Sequence, residues 1–536
     1  MAIKASHARL HVRFALLAVL LALTAGCATL PPGSDYPKIP SAALADPATT
    51  ALGRRFVALS RDHGGRSGYR LLHAGEDGLL ARAQMTDAAE RTLDLQYYIF
   101  RGDKTGLLLC EALLRAADRG VRVRVLVDEA ERVAGDEQIE LLDAHPNVEV
   151  RIFNPFAYRG QSRRVRAVEF LFSASRLDYR MHNKLFVADN AAALIGGRNI
   201  GDEYFQIDPE SQYGDDDLFV GGPMAQQLSK TFDEYWNSAL AIPVASLNSG
   251  PTAEEFEAFR KHLVEHRDTL ARAGTDYVKR IATGEPFGSI AAGKQLIFTD
   301  AELVYDSPDK KRVDRGEIPG NLIFPKLIEA AAAARSEFLI VTPFFVPGSD
   351  GTRLFDELRK RNVRVRVLTN SLESTPELLA HSGYVKYRQQ LLGKGLELYE
   401  LRARLGSSRG TGERPWLLTY GTYALHAKMF IIDRERILIG SVNFDLRSWH
   451  LNTEIGLIIK NHELAQQSAT RFDALAQPAN SYRVELRRWA ADERPYLVWV
   501  THADGQIVAS IDEPAGGENR REKVEFFRLL PLDAEL

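Results

Sequence analysis

The feature that most constrains this chain is an internal repeat, because a fold must place both copies in equivalent settings. In the first half, His182-Asn183-Lys184 is followed by Asp189 and then by Gly196-Gly197-x-Asn199. In the second half, His426-Ala427-Lys428 is followed by Asp433 and then by Gly440-Ser441-x-Asn443. Four residues separate Lys from Asp and six separate Asp from Gly in each copy, and the histidines lie 244 positions apart.

The surrounding pattern repeats at the same offset. Residues 93–100 read as a strand, 106–119 as a helix, and 121–127 as an alternating strand. Residues 338–345, 351–361 and 363–368 repeat that order. Strand–helix–strand units in series predict an α/β fold with a sheet in each half. The two halves should pack as a pseudo-twofold pair. Alternation along each motif strand would point His182 and Lys184, and likewise His426 and Lys428, to one face. Turns are expected at 189–190 and 433–434, each leading into a second apolar strand that ends in glycine.

This residue set suits displacement at a phosphodiester. The reaction needs a nucleophile, an acid for the leaving alkoxide, and cations on the phosphate oxygens. Imidazole, with an unperturbed pKa of about 6.5, can fill the first two roles. Lys184 and Lys428 can hold the phosphate, with Asn199, Asn443, Ser441 and the backbone at Gly197 beside them. A downstream acid can fix each imidazole's tautomer, Glu454 for one and, by alignment of the repeat, Asp215 for the other.

The doubled pattern resembles the signature of the phospholipase D superfamily. The segments 96–99, 116–123, 196–205 and 391–400 make it most similar to bacterial cardiolipin synthases, and the Leu-Pro tail at 530–532 to their C-type branch. The resemblance implies two phospholipase D-like α/β/α sandwich domains sharing one active site that needs no metal or other cofactor. It implies a phosphohistidine intermediate, with His182 as nucleophile and His426 as general acid and then base. Asp189 and Asp433 would be structural. Gly197, where the second copy has Ser441, departs from the commoner Gly-Ser pairing.

The N-terminus gives an address. Lys4, Arg9 and Arg13 precede an apolar run at 14–25, the layout of a secretory signal. That run is shorter than the ~20 residues a spanning helix needs. Leu23-Thr24-Ala25-Gly26-Cys27 resembles a bacterial lipobox, which implies a lipidated Cys27, although Thr24 replaces the usual Leu. With Cys27 acylated, Cys110 has no disulfide partner, since the chain holds 2 cysteines. Ala28 suggests outer-membrane sorting with the body facing the periplasm. The expected divisions are a signal at 1–26, a tether and N-terminal segment at 27–65, and a first domain at 66–248. A mostly helical connector at 249–300, a second domain at 301–476 and a C-terminal extension at 477–536 that adds strands would follow.

Phospholipids are the expected substrates: phosphatidylglycerol, with phosphatidylethanolamine a second candidate donor. Transfer to form cardiolipin and hydrolysis to phosphatidic acid both remain open. A nuclease fits less well, because a net charge of −3 offers no basic field for a polyanion. A non-catalytic lipid-binding protein would not need the intact double motif. Three side features are read more plainly. Asp215-Asp216-Asp217 looks like a solvated acidic run apart from the role given to Asp215. Arg122, Arg124, Arg364 and Arg366 look like polar faces of half-exposed strands. The cluster Arg163, Arg164, Arg166 and Arg176 suits either a solvated loop or contact with anionic headgroups. The adjoining 168–172 suits core packing somewhat better than a membrane-facing or substrate-facing loop.

Overall fold

The computed structural model describes residues 33–530, apart from 130, 132–135, 161, 209, 274–294, 408, 410, 412–420, 491–492 and 504–505. The signal segment, Cys27, the first part of the tether, much of the connector and residues 531–536 therefore lie outside the described residues.

The first half contributes β1 (Ser67–Leu72), β2 (Thr92–Tyr97), β3 (Arg122–Asp128), β4 (Val148–Phe153), β5 (Leu185–Ala188), β6 (Ala192–Gly196), β7 (Ser211–Gly214), β8 (Asp217–Gly221), β9 (Ala241–Pro243) and β10 (Ile297–Thr299). The second half contributes β11 (Ala301–Tyr305), β12 (Glu337–Val341), β13 (Arg364–Asn370), β14 (Glu397–Leu401), β15 (Thr422–Leu425), β16 (Met429–Ile432), β17 (Arg436–Gly440), β18 (Ile455–Lys460), β19 (Ser481–Arg488), β20 (Pro495–Ala503) and β21 (Gln506–Ser510).

Among the described residues, one sheet runs β10-β1-β8-β6-β5-β2-β3-β4-β9 and the other β11-β18-β17-β16-β12-β13-β14-β19-β20-β21. The repeat is visible in the register: Leu93 pairs with Val123 in parallel, as Phe338 does with Val365. Parallel neighbours need a long crossover, and the helices Lys104–Asp118 and Gly348–Lys360 supply it. Asp103 caps the first of these by accepting from the Gly106 N–H. Helix Pro223–Trp236 and helix His462–Leu475 share one core with the inner faces of both sheets. Helices such as Lys104–Asp118 and Gly348–Lys360 cover the outer faces in two separate cores. The α/β architecture with two repeated halves is thus as expected.

Several local expectations change. The motif strands are shorter than their apolar runs, and β5 and β16 begin only at Leu185 and Met429. His182, Lys184, His426 and Lys428 therefore sit in the lead-in to a strand rather than in one. Residues Lys38–Leu44 do not stand off the body. Lys38 Nζ donates to the carbonyls of Ser238 (3.0 Å) and Ala241 (3.1 Å), and Asp233 accepts from the Ala43 N–H at 2.8 Å. Helix Ala51–Asp62 then buries Phe56 against the first half. The chain end of the connector is also strand, since β10 pairs with β1 at the edge of the first sheet.

The arginine reading also fails at two positions. Arg124 is buried between Asp94 (2.6 Å) and Asp233 (2.8 Å), with its guanidinium over Phe232. Arg366 is buried against Asp473, while Arg364 is exposed. A buried charge persists only when paired in this way. The C-terminal extension adds β20 and β21 beyond β19. No helix among the described residues is long and apolar enough to cross a membrane.

Candidate active site

Each motif is placed by a tight hairpin. Asp189 and Asn190 have φ of 51° and 52°, and Asp433 and Arg434 both have φ of 54°. Such left-handed pairs match the twist of two-residue hairpins, and Asp and Asn tolerate them. The Asp189 carboxylate accepts from the N–H groups of Glu90, Arg91 and Thr92 at 2.8–2.9 Å. Asp433 accepts from those of Arg335, Ser336 and Glu337 at 2.7–3.0 Å. Both aspartates thus tie a hairpin to the start of a neighbouring strand, at the end away from the histidines.

The two motifs meet where the halves exchange backbone. The His182 N–H donates to the Thr453 carbonyl at 2.9 Å, and the His426 N–H donates to the Gly214 carbonyl at 2.8 Å. The acids stand one residue further on, so each imidazole is held by a carboxylate of the other half. His182 Nδ1 lies 2.9 Å from Glu454 Oε2, and His426 Nδ1 lies 2.6 Å from Asp215 Oδ2. With Nδ1 facing a carboxylate, Nε2 of each ring is the nitrogen left for chemistry. Neither half by itself pairs its motif histidine with an acid.

The lysines converge on the same point. Lys184 Nζ donates to the His182 carbonyl at 2.6 Å, and Lys428 Nζ donates to that of His426. Burial pushes both ammonium groups down, Lys428 to about 8, and the charge of Lys428 adds to the depression of Lys184. Burial and Lys184 hold His182 well below its usual value. Burial and Lys428 bring His426 to about 3. Burial would raise Asp215, yet His426 and Lys428 keep it below the ordinary carboxylate value. Glu454 is instead raised to about 7 by burial, with Lys184 and the hydroxyls of Ser441 and Ser448 opposing that rise. Two buried lysines, whose desolvation is only partly offset by Asp215 and Glu454, form a site that favours an entering phosphodiester anion.

The acidic run is not solvated. Asp215, Asp216 and Asp217 are all buried, each on its own partner. Asp215 faces His426, Asp216 meets His73 and Arg471, and Asp217 binds Arg82 and Arg198. This also accounts for Gly197. A Cβ there would lie 2.2 Å from Asp215 Oδ1, so the carboxylate fills the space a side chain would need. Ser441 fits the equivalent position because its hydroxyl donates to Glu454.

The asparagines differ. Asn199 accepts from the Ile99 N–H and donates to the Tyr204 hydroxyl at 3.0 Å, so its amide positions protein groups. The Asn443 side-chain oxygen is buried without a hydrogen bond among the described residues. Sequence reasoning missed the aromatic walls. Tyr98 packs edge-on to His182 at 5.1 Å, while Tyr213 stacks on His426 at 5.4 Å with Tyr204 edge-on at 5.1 Å. It also missed Arg447, which binds Asp178 across the halves at 2.7 Å and whose charge reaches His182. Tyr98 and Tyr204 lie inside segments that carried the resemblance, but nothing in their spacing pointed to a ring contact.

Known proteins are similar to this chain in sequence and in fold. The family described as "Cardiolipin synthase, PLD-like domain" matches residues 83–236 and 327–476. The chain is 34% identical to "Cardiolipin synthase C" of Escherichia coli over 89% of its own length and 98% of that protein's. It is 26% identical to "Major cardiolipin synthase ClsA" of Bacillus subtilis, over 75% of its own length and 67% of that protein's. In fold it is similar to the phosphatidylserine synthase of Haemophilus influenzae, with a TM-score of 0.51 at 14% identity, over 80% of this chain and 91% of that one. Two copies of the matched domain, each supplying one His-x-Lys motif to a single site, show that the chain belongs to the phospholipase D superfamily, within its cardiolipin synthase, PLD-like domain family.

Proposed function

We propose that the chain is a phosphatidyltransferase that makes cardiolipin from phosphatidylglycerol and a second phospholipid. The observation that supports it most is the crossed pair of buried imidazoles with two ammonium groups between them, in a chain similar over nearly its whole length to a cardiolipin synthase. In the first step, His182 Nε2 attacks the phosphorus of a donor phospholipid. The bond to the headgroup oxygen breaks, and His426 gives that oxygen a proton. A phosphatidyl group then rests on His182. In the second step, a hydroxyl of phosphatidylglycerol gives its proton to His426 and its oxygen bonds to phosphorus. The phosphorus–nitrogen bond breaks and cardiolipin leaves. Lys184, Lys428 and Asn443 hold the phosphate oxygens throughout.

His426 must carry a proton when the headgroup leaves. The anionic phosphodiester offsets the field of Lys428 and Lys184, part of what holds His426 low in the free protein. Water in place of the second lipid would give phosphatidic acid. Expression in cells lacking other cardiolipin synthases, followed by lipid mass spectrometry, tests the reading. Cardiolipin with the wild type and none with His182→Ala is expected; phosphatidic acid without cardiolipin would replace transfer by hydrolysis. Through the Cys27 lipobox, the same reading places the body on the periplasmic side of the cell envelope.

A further inference from the structure

Helix Arg163–Leu177 is folded inside out. Three of its charged residues turn toward the protein: Arg166 donates to the Glu129 carbonyl, and Glu169 accepts from the N–H groups of Ala157 and Tyr158. Arg176 donates to Asn154 Oδ1 and the Pro155 carbonyl. The apolar residues face outward. Val165, Val168, Leu171 and Phe172 are 44%, 53%, 68% and 62% exposed, at a spacing that places them on one helical face. Core packing, the better sequence reading of 168–172, is therefore overturned. Contiguous exposed apolar faces of this kind mark an interaction surface.

Charge indicates what covers it. Arg163 and Arg164 are exposed beside the apolar face, with no carboxylate in ion-pair reach among the described residues. Lys311 binds the Ser175 carbonyl at 3.0 Å, which brings the basic turn Lys310–Asp314 to the far end of the helix. The helix also ends five residues before His182 in the chain. Its capping residue Asp178 is held by Arg447, whose charge acts on His182 four residues beyond. An apolar face flanked by arginines fits the interface of an anionic lipid bilayer, where apolar side chains enter the acyl boundary and cations meet headgroups.

We infer that helix Arg163–Leu177 docks the catalytic body on an anionic phospholipid surface and presents the His182 mouth to it. This contact is separate from any N-terminal anchor, and its bearing on turnover rests on the phosphatidyl-transfer reading. Hydrogen–deuterium exchange of the full chain, with vesicles of phosphatidylglycerol and phosphatidylcholine, tests the contact directly. Several-fold slower exchange across 163–175 is expected with these vesicles and not with phosphatidylcholine alone; unchanged exchange overturns the proposal. Protection without lipid that grows with protein concentration also overturns it, because a second copy then covers the face.

The variant carrying Val168→Ser, Leu171→Ser and Phe172→Ser should turn over vesicle phosphatidylglycerol about tenfold more slowly or worse. Its turnover of monomeric short-chain phosphatidylglycerol should stay within about twofold of the parent. An equal loss on both substrates overturns docking in favour of a role inside the site. Protection by vesicles in a wild type without lipid turnover would support docking and defeat the assigned chemistry.

Discussion

The two half-sites share a backbone and differ in almost every side chain around it. His182 and His426 are held by the same backbone hydrogen bond and the same imidazole–carboxylate contact, each crossing between halves. Around His182, the acid is a glutamate that accepts two serine hydroxyls and is raised to about 7. Around His426, the acid is an aspartate packed against Gly197, accepts no side-chain hydroxyl among the described residues, and stays below its ordinary value. One tyrosine borders the first ring and two border the second. Duplication supplies equal positions, whereas a two-step transfer needs one histidine to bond phosphorus and another to move protons. The unequal surroundings are where such a division of labour can be written.

The sharpest way to break this comparison is to remove each ring. His182→Ala and His426→Ala should each lower lipid turnover by roughly 10⁴-fold, the upper range for a group acting in every proton or bond transfer. They should separate on an aryl phosphodiester whose leaving group needs no proton. His426→Ala should then recover formation of the covalent intermediate and His182→Ala should not. Alkaline-quenched tryptic mapping, which spares the acid-labile phosphorus–nitrogen bond, locates the phosphate. Its appearance on the peptide containing His426 would exchange the two roles.

Moving a side chain between half-sites should cost less but remain large. Gly197→Ser copies the second half into the first, yet its Cβ would start 2.2 Å from Asp215 Oδ1. Displacing that carboxylate frees His426 Nδ1, so turnover should fall by about 10²-fold, with KM little changed. Near-wild-type kcat for Gly197→Ser would show that Asp215 can move without consequence. Ser441→Gly, the reverse exchange, should cost only a few-fold, because Ser448 still donates to Glu454.

Titration should separate the half-sites more gently. Glu454 takes up a proton as pH falls through about 7 and then no longer anchors the His182 N–H as an anion. Lys428 loses its charge as pH rises through about 8, weakening phosphate binding. Turnover on vesicles should therefore peak between these values, with KM rising on the alkaline side. Ser441→Ala removes a hydroxyl that favours the Glu454 anion, so the acid limb should move upward while the alkaline limb stays. An unmoved acid limb would detach it from Glu454.

How much of this was legible beforehand follows from the physics of each feature. The doubled motif, the strand–helix–strand repeat and the acids Asp215 and Glu454 could be read because period and spacing are local. Which acid serves which ring could not, since the answer lies in two backbone bridges between halves, Met181 with Thr453 and β15 with β7. Arg124 was misread because alternation gives a side chain's face but not what covers that face, and Asp216 because an acidic run does not show the buried partners that pair it. Asn199 matches Asn443 in the repeat, yet Tyr204, present only beside the first copy, accepts one of its two amide hydrogens, a contact that spacing does not announce. Helix Arg163–Leu177 departs from the usual rule, with Val165, Val168, Leu171 and Phe172 outside while Arg166, Glu169 and Arg176 bond inward.

The hairpin aspartates extend the comparison to stability, where the expected effect on turnover is smallest. Both side chains accept three backbone N–H groups, but Asp189 is fully buried while Asp433 lies among exposed partners. Truncating Asp189 leaves the buried Thr92 N–H and two part-buried donors without an acceptor, at about 2–3 kcal/mol, whereas water can reach those beneath Asp433, at about 1 kcal/mol. Asp189→Ala should therefore lower the thermal midpoint more than Asp433→Ala, with kcat of the folded fraction nearly unchanged in both. The backbone amides also hold Asp433 below its ordinary pKa against burial, so its contribution is complete above the unfolded value near 3.9. It is lost as pH falls through the lower folded value, and the gap between wild type and Asp433→Ala should close there. Equal midpoint losses at neutral pH would mean that solvent shields neither turn, and that the two hairpins, unlike the two half-sites, have stayed equivalent.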